Sequence, residues 1–385
     1  MHALMLITLF ASIDVGAAQR GFAELQAMCA ADGGRLWGRS LCGPTVFADA
    51  RTREAIRSDG VATKVPDSIG IANTRVEWDG EQWTMLMWPL TQNVPARRAL
   101  LAHESFHRIQ SGLGFPMNNP ANAHLETAEA RAWMRLEWRA LARALATGDE
   151  RAVADALAFR AKRFIEEERQ LEMNEGLAEY TGWAMAVPNV RERIPSLVRK
   201  LANAEKNETY SRAFAYASGP AWGTLLEMKK PRWTRSLKPT DDLGALARRA
   251  WNIRGTELRV SEYGGEAIRV EEEARATKKR ELAAKLRARF VDGPVLRIPL
   301  QKMQFTFDPN NVQPLEGHGT VYPTLEVRDV WGKIVVTGGG ALMSPDYQTL
   351  IVSANAEGYE LTLADGWRLA DAPRAGDKTL TNDAR

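Results

Sequence analysis

The sequence predicts an α+β protein: a short β-sheet, then a helical bundle, then a small all-β domain. Three observations carry this. Short apolar segments at 75–78 and 83–88 flank Asp79-Gly80, a strong hairpin pair. Through residues 96–290, apolar side chains recur at three- and four-residue steps, the helical period. At Asp292-Gly293-Pro294 that spacing stops, and short alternating segments separated by Gly, Pro, Asp and Asn take over. The 385 residues, 45% hydrophobic and 26% charged, suit two or three ordinary globular domains. A net charge of +3 with both signs interspersed argues against a nucleic-acid partner.

Residues 1–18 read as a secretory signal peptide. An apolar run at 3–13 precedes Gly16-Ala17-Ala18, small residues suited to cleavage before Gln19. The expected mature protein is secreted or periplasmic. No other stretch is long enough for a membrane span, so no stable span is expected after signal removal. Cys29 and Cys42, an even pair in an exported chain, predict one disulfide around the turn Asp32-Gly33-Gly34. Residues 19–95 form a β-rich part, with strands expected at 45–47, 70–73, 75–78 and 83–88.

The most informative stretch follows. Residues 96–110 are apolar and helix-favouring, and within them stands His103-Glu104-Ser105-Phe106-His107. Positions four apart share a helix face, so His103 and His107 can point at one site. Two neutral imidazoles so placed can ligate a zinc ion, and Glu104 can act on water there as general base. The chain holds only five His, which makes a chance His-Glu-x-x-His rare. The competing reading is a solvated helix with two surface histidines. A hydrolytic zinc site takes a third protein ligand.

Downstream the chain reads Asn174-Glu175-Gly176-Leu177-Ala178-Glu179-Tyr180. Together with the His-Glu-x-x-His stretch, this resembles the gluzincin metallopeptidases, the thermolysin-like and aminopeptidase-like clan. In that clan a second helix carries the third ligand, often as Asn-Glu-Gly-x-Ala-x-Tyr. The resemblance implies a zincin-like catalytic domain over 19–290, with Zn2+ held by His103, His107 and Glu175. Glu179, one turn later, would hydrogen-bond the far nitrogen of a ligand histidine. The usual spacing between second histidine and third ligand is shorter in this clan. Glu126 and Glu129 stand nearer that spacing and stay open as alternative ligands. The resemblance also implies a Tyr or His that steadies the oxyanion: Tyr216 is the first candidate and Tyr210 the second, with His124 as a further histidine. The strand before the motif helix would wall the cleft and offer an edge to an extended peptide.

Helices are expected over 125–147 and 150–187, with Glu166-Glu167-Glu168-Arg169 as a solvated face. More helices follow to 290, with Ser218-Gly219-Pro220 ending one and starting the next. The β-domain spans 295–372, as a sandwich or barrel with strands at 295–300, 304–307, 324–327, 333–336, 349–352 and 359–363. It is a candidate for binding substrate or a partner. Residues 373–385 are polar and expected to be disordered.

The reading is a zinc metallopeptidase acting on a peptide or protein substrate. No Gly-x-Met-Glu-Asn segment precedes His103, which weakens an aminopeptidase reading. Alternatives are a catalytically silent zincin-fold binding protein and a zinc amidase for non-peptide amides.

Overall fold

A computed structural model describes residues 13–308, 311–355 and 358–382. The chain divides into two compact units, Met1–Glu272 and Glu273–Arg385.

The first unit opens with helix α1 (Val15–Asp32), where the sequence reading expects the end of a signal peptide and then the start of a β-rich part. Asp14 caps it by accepting from the amide of Ala17 at 2.8 Å, and Gly33 ends it at a positive φ of 54°. Residues 1–12 of the expected signal segment lie outside the described residues. Ala18, at its expected cleavage point, is fully buried inside α1. Strands β1 (Thr45–Ala48), β2 (Glu54–Arg57), β3 (Ala62–Lys64), β4 (Thr74–Trp78) and β5 (Glu81–Met87) follow. They form one sheet in the order β3-β2-β1-β5-β4. Alternation divides its faces: Phe47, Ile56 and Leu86 enter the main core, while Val46, Ala55, Trp83 and Met85 pack under Val65, Ile69 and Ile71. The strand expected at 70–73 is therefore a loop covering that second face. The strand leading into the motif helix, β5, is not an edge. It pairs in parallel with β1 and antiparallel with β4, so the edge on that side is β4.

Eight helices follow in this unit: α2 (Val94–Gln110), α3 (Ala128–Thr147), α4 (Glu150–Arg160), α5 (Glu166–Leu171), α6 (Leu177–Ala186), α7 (Val190–Ala204), α8 (Ala213–Lys229) and α9 (Leu243–Ala250). The chain then enters α10 (Gly265–Arg287), in which the division between the units falls. Two helical expectations change. The run 150–187 breaks after Arg160, because Arg160 and Arg163 turn inward onto Glu137, Glu168 and Glu172. Glu168 is thus fully buried rather than on a solvated face. And α8 runs straight through Gly219 and Pro220, where a stop was the sequence expectation. Among the described residues no helix is long and apolar enough to cross a membrane.

Cys29 and Cys42 are free thiols, one buried and one exposed, in place of the expected disulfide. Burial pushes the Cys29 thiol well above its usual range, and the Cys42 thiol beside it adds to the shift. A neutral thiol is a poor nucleophile for disulfide exchange.

The second unit is all-β after α10. Its strands are β6 (Val295–Pro299), β7 (Gln304–Phe307), β8 (Gln313–Leu315), β9 (Gly319–Tyr322), β10 (Leu325–Asp329), β11 (Gly332–Val336), β12 (Ala341–Met343), β13 (Thr349–Ser353), β14 (Tyr359–Leu363), β15 (Trp367–Asp371) and β16 (Lys378–Asn382). They form a four-stranded sheet, β14-β11-β10-β7, and a seven-stranded sheet, β15-β16-β6-β13-β12-β9-β8. Ile298 and Val352 from one sheet share a core with Val327 and Ile334 from the other, so the unit is a sandwich. Within the tail expected to be disordered, a turn at 373–377 leads into β16, which runs to Asn382. Asp377 explains this: it takes the Val295 amide at 3.0 Å and two Arg374 donors at 2.8 and 2.9 Å, seating the strand beside β6. Residues 383–385 lie outside the described residues.

Candidate metal centre

Helix α2 is buried almost all round, from Ala99 to Gln110. Asn93 caps it by accepting from the amide of Ala96, and Pro95 sits in its first turn. A helix so enclosed would normally be apolar throughout. This one carries His103, Glu104 and His107 at about 4% exposure each.

Two close helix contacts bring partners to it. A Cβ on Gly182 of α6 would stand 2.5 Å from the Ala99 carbonyl oxygen, so only glycine lets α6 lie this near α2. A Cβ on Gly219 of α8 would stand 2.3 Å from the Cα of Gly176, so α8 reaches the start of α6 in the same way. The segment between α5 and α6, Glu172–Gly176, is a π-helical turn. Such a turn inserts an extra residue and re-aims side chains, and it recurs at functional sites. Here it presents Glu175. The turn's first residue, Glu172, is gripped by Arg160 at 2.5 and 3.1 Å in the fully buried ion-pair network.

The result is a three-point convergence. The Nε2 atoms of His103 and His107 are 3.1 Å apart, and Glu175 Oε2 stands 3.5 Å from each. Nitrogen and oxygen donors bound tetrahedrally at ~2.0–2.1 Å stand roughly 3.3–3.4 Å apart, so these residues fit one small divalent cation. Glu104 belongs to the same buried cluster, within 4.8 Å of both histidines. Its nearest approach to His103 is 4.0 Å, longer than that of Glu175, and its Oε2 is buried with no hydrogen-bond partner. Glu175 therefore offers the closer third donor, while Glu104 is the carboxylate of the cluster of three buried side chains on α2 that could hold a metal ion.

The outer nitrogens are held too. His103 Nδ1 lies 2.8 Å from Glu179 Oε2, and Glu179 is fixed by Trp183 Nε1 at 2.9 Å and Lys200 Nζ at 2.8 Å. His107 Nδ1 lies 2.7 Å from Gln110 Oε1. The Gln110 amide donates to Asn174 Oδ1 and the Pro116 carbonyl, and Asn174 donates to the Asn118 carbonyl. Both Nδ1 atoms face acceptors, so the Nε2 atoms are the ones a metal would take, displacing any proton held there.

The charges are interlocked. Burial opposes a proton on His103, but the hydrogen bonds of Glu175 and Glu179 outweigh it and raise the imidazole to about 10. Burial would raise Glu175, yet both histidines and Tyr216 hold its carboxyl far below the usual range. Glu179 falls to about 2: the His103 hydrogen bond and the Lys200 charge overcome its burial. Glu104 moves the other way, raised by burial against the pull of the two imidazoles.

Tyr216 lies at this site. Its hydroxyl donates to Glu175 Oε2 at 2.6 Å, and its ring stacks on His103 at 5.7 Å. Tyr210 does not: it is fully buried and donates to the Glu205 carbonyl. His124 pairs with Glu168 at 2.9 Å, in the ion-pair network. Glu126 accepts from the amides of Tyr210 and Ser211, bracing the approach to α8, and Glu129 accepts from Trp133. Neither is gathered with the histidines.

Gln110, Lys200, Asn174 and Arg212 are site residues the sequence reading missed. Gln110 lies three residues after His107, and Arg212 four before Tyr216, so helix spacing alone could have placed both on the correct faces. Comparison with known proteins adds no name to this arrangement: no protein-family model matches the chain, and neither does any curated protein or solved structure.

Proposed function

We propose that this protein is a zinc-dependent hydrolase, a metallopeptidase of the gluzincin type. One observation carries the reading: two imidazole nitrogens from α2 and a carboxylate oxygen from the turn before α6 lie 3.1–3.5 Å apart, beside a buried carboxylate oxygen that has no hydrogen-bond partner. A set of two imidazoles and one carboxylate favours zinc and leaves a coordination position for chemistry. A bound zinc ion supplies Lewis acidity, polarising the scissile carbonyl and acidifying the attacking water.

The chain's own residues do the rest. Glu104 accepts the proton of the attacking water and delivers it to the departing amine, and its unengaged Oε2 leaves it free to do so. Glu179 and Gln110 hold the imidazoles in the required orientation. Tyr216 supplies an O–H to the oxygen that becomes negative in the tetrahedral intermediate. The edge strand β4, which packs beside α2, is available to an extended peptide by strand addition.

The test is hydrolysis of a fluorogenic peptide library, with metal content measured in parallel. The expected result is activity lost to a chelator and restored by zinc. Glu104→Gln should lower turnover ~10²–10⁴-fold and keep its zinc. Metal uptake without hydrolysis of any peptide favours a silent binding protein or a different amide. Full activity in Glu104→Gln refutes the general-base role.

A further inference from the structure

We propose that Arg212 is a positioning residue of this centre: its guanidinium bridges the spare oxygen of Glu175 and the phenol of Tyr216, fixing both for their tasks. Arg212 lies just before α8, half exposed, and reaches the Glu175 oxygen that does not face the histidines. One of its nitrogens donates to Glu175 Oε1 at 2.8 Å and stands 3.3 Å from the Tyr216 hydroxyl oxygen. The other terminal nitrogen donates to Asn119.

The division of labour follows from the two oxygens of Glu175. Oε2 faces both histidines and takes the Tyr216 hydroxyl; Oε1 faces Arg212. Holding Oε1 keeps the carboxylate from rotating, so Oε2 is reserved for the metal. A cation at Oε2 competes with the Tyr216 O–H for the same lone pairs. Arg212 can only donate, so it grips the phenol by its oxygen and leaves the O–H free to turn to another acceptor. The fork geometry matters because one terminal nitrogen serves Glu175 and Tyr216 while the other is tied to Asn119, a fixed two-nitrogen span that the single nitrogen of a lysine does not reproduce.

A second observation supports the arrangement. Asn118 and Asn119 are consecutive in the loop after α2. The Asn118 carbonyl closes the chain from His107 through Gln110 and Asn174; the Asn119 side chain closes the chain from Glu175 through Arg212. One loop thus braces two would-be ligands from different helices by separate routes.

This inference rests on the metal reading for Glu175 and on the hydrolase reading for Tyr216, and the experiment separates them. Metal-free wild type, Arg212→Ala, Arg212→Lys and Asn119→Ala are titrated with Zn2+ and, for visible absorption, with Co2+. Thermal unfolding of the metal-free forms is followed alongside. Arg212→Ala should weaken zinc binding ~10–100-fold, alter the Co2+ spectrum, and lower kcat more than it raises KM. Arg212→Lys should recover more of the metal affinity than of kcat, and Asn119→Ala should show a weaker version of the Arg212→Ala defect. Unchanged zinc affinity and an unchanged Co2+ spectrum in Arg212→Ala overturn the proposal, whether or not its unfolding temperature moves. Wild type that takes up no zinc overturns the metal reading and this inference together. Wild type that takes up zinc but hydrolyses nothing sinks only the hydrolase reading, and the affinity measurements still decide the role of Arg212.

Discussion

The two units bury different things. The β-sandwich encloses Ile298, Val327, Trp331, Ile334 and Val352, and among its described residues Asp377 alone is a buried polar side chain. The first unit encloses charge. His103, Glu104, His107, Glu175, Arg160, Arg163, Glu168 and Glu172 are all buried there. Buried ion pairs are a poor way to gain stability, because desolvation offsets much of their attraction. A buried carboxylate oxygen without a partner is worse still. The sandwich is built as stability alone would dictate. The interior around α2 carries a cost that stability does not explain, and such departures concentrate where chemistry is done.

The largest expected effect tests that distinction directly. Glu175→Ala should weaken zinc binding by more than about 100-fold, since even residues behind a ligand are worth ~10–100-fold. Unfolding of the sandwich should not change. The reciprocal experiment is Trp331→Ala, which empties a fully buried site in the sandwich. It should cost the second unit ~3–5 kcal/mol by thermal or denaturant unfolding and leave zinc stoichiometry intact. Loss of zinc in Trp331→Ala would break the comparison, because the two interiors would then act as one.

A smaller effect probes how the site is assembled. Gly182→Ala places a methyl 2.5 Å from the Ala99 carbonyl oxygen, so α6 must shift away from α2. The expected cost is ~1–3 kcal/mol, with a measurable fall in zinc affinity because Glu175 and Glu179 move with α6. Gly338 in the sandwich has nothing within 4 Å of its would-be Cβ, and Gly338→Ala should change stability by less than about 0.5 kcal/mol. Equal zinc affinity in Gly182→Ala and wild type would show that the glycine contact does not set the ligand geometry.

How much of this was legible depends on which residues carry it. His103, Glu104 and His107 were readable because one helix fixes their relation, and the spacing alone states it. Glu175 lies on another helix, and no periodicity relates two helices; only a motif resemblance pointed to it. Its aim further depends on a π-helical turn, which leaves no periodic signature. The roles of Arg212 toward Glu175 and Asn119, and of Asn174 toward Gln110, were missed for the same reason, since those partners are close in space and distant in sequence. Gly219 and Pro220 read locally as a stop, yet α8 runs through them because α6 packs against that glycine. Glu168 read as a solvated face because three acidic residues stand in a row, while its partners Arg163 and His124 lie elsewhere in the chain. In the sandwich, six strands were read from their alternation, while β9, β15 and β16 were missed although they span four or five residues, because polar residues dominate them. β8 and β12 span three residues each, too few to show a period.

The smallest expected effect lies at the sandwich's own exception. Arg374 holds the Asp377 carboxyl below its ordinary value of 3.8, against the opposing effect of burial, and the Val295 amide assists. A depressed folded value means that the charged form stabilises the native state. That contribution is present above 3.8 and is lost as pH falls through the folded value. The second unit should therefore hold steady from neutral pH down to mild acid and weaken below it. Asp377→Asn should remove most of that acid dependence and cost about 1 kcal/mol at pH 7, at the low end for a charged hydrogen bond because Arg374 is half exposed and screened by salt. The tail strand β16 should fray first, since Asp377 ties it to the start of β6, and amide exchange of Leu380 reads this out. If exchange at Leu380 and the acid limb are both unchanged in Asp377→Asn, the one charge buried among the sandwich's described residues does nothing for its fold. Its exposed partners would then account for the strand, and the contrast with the charged interior around α2 would be sharper still.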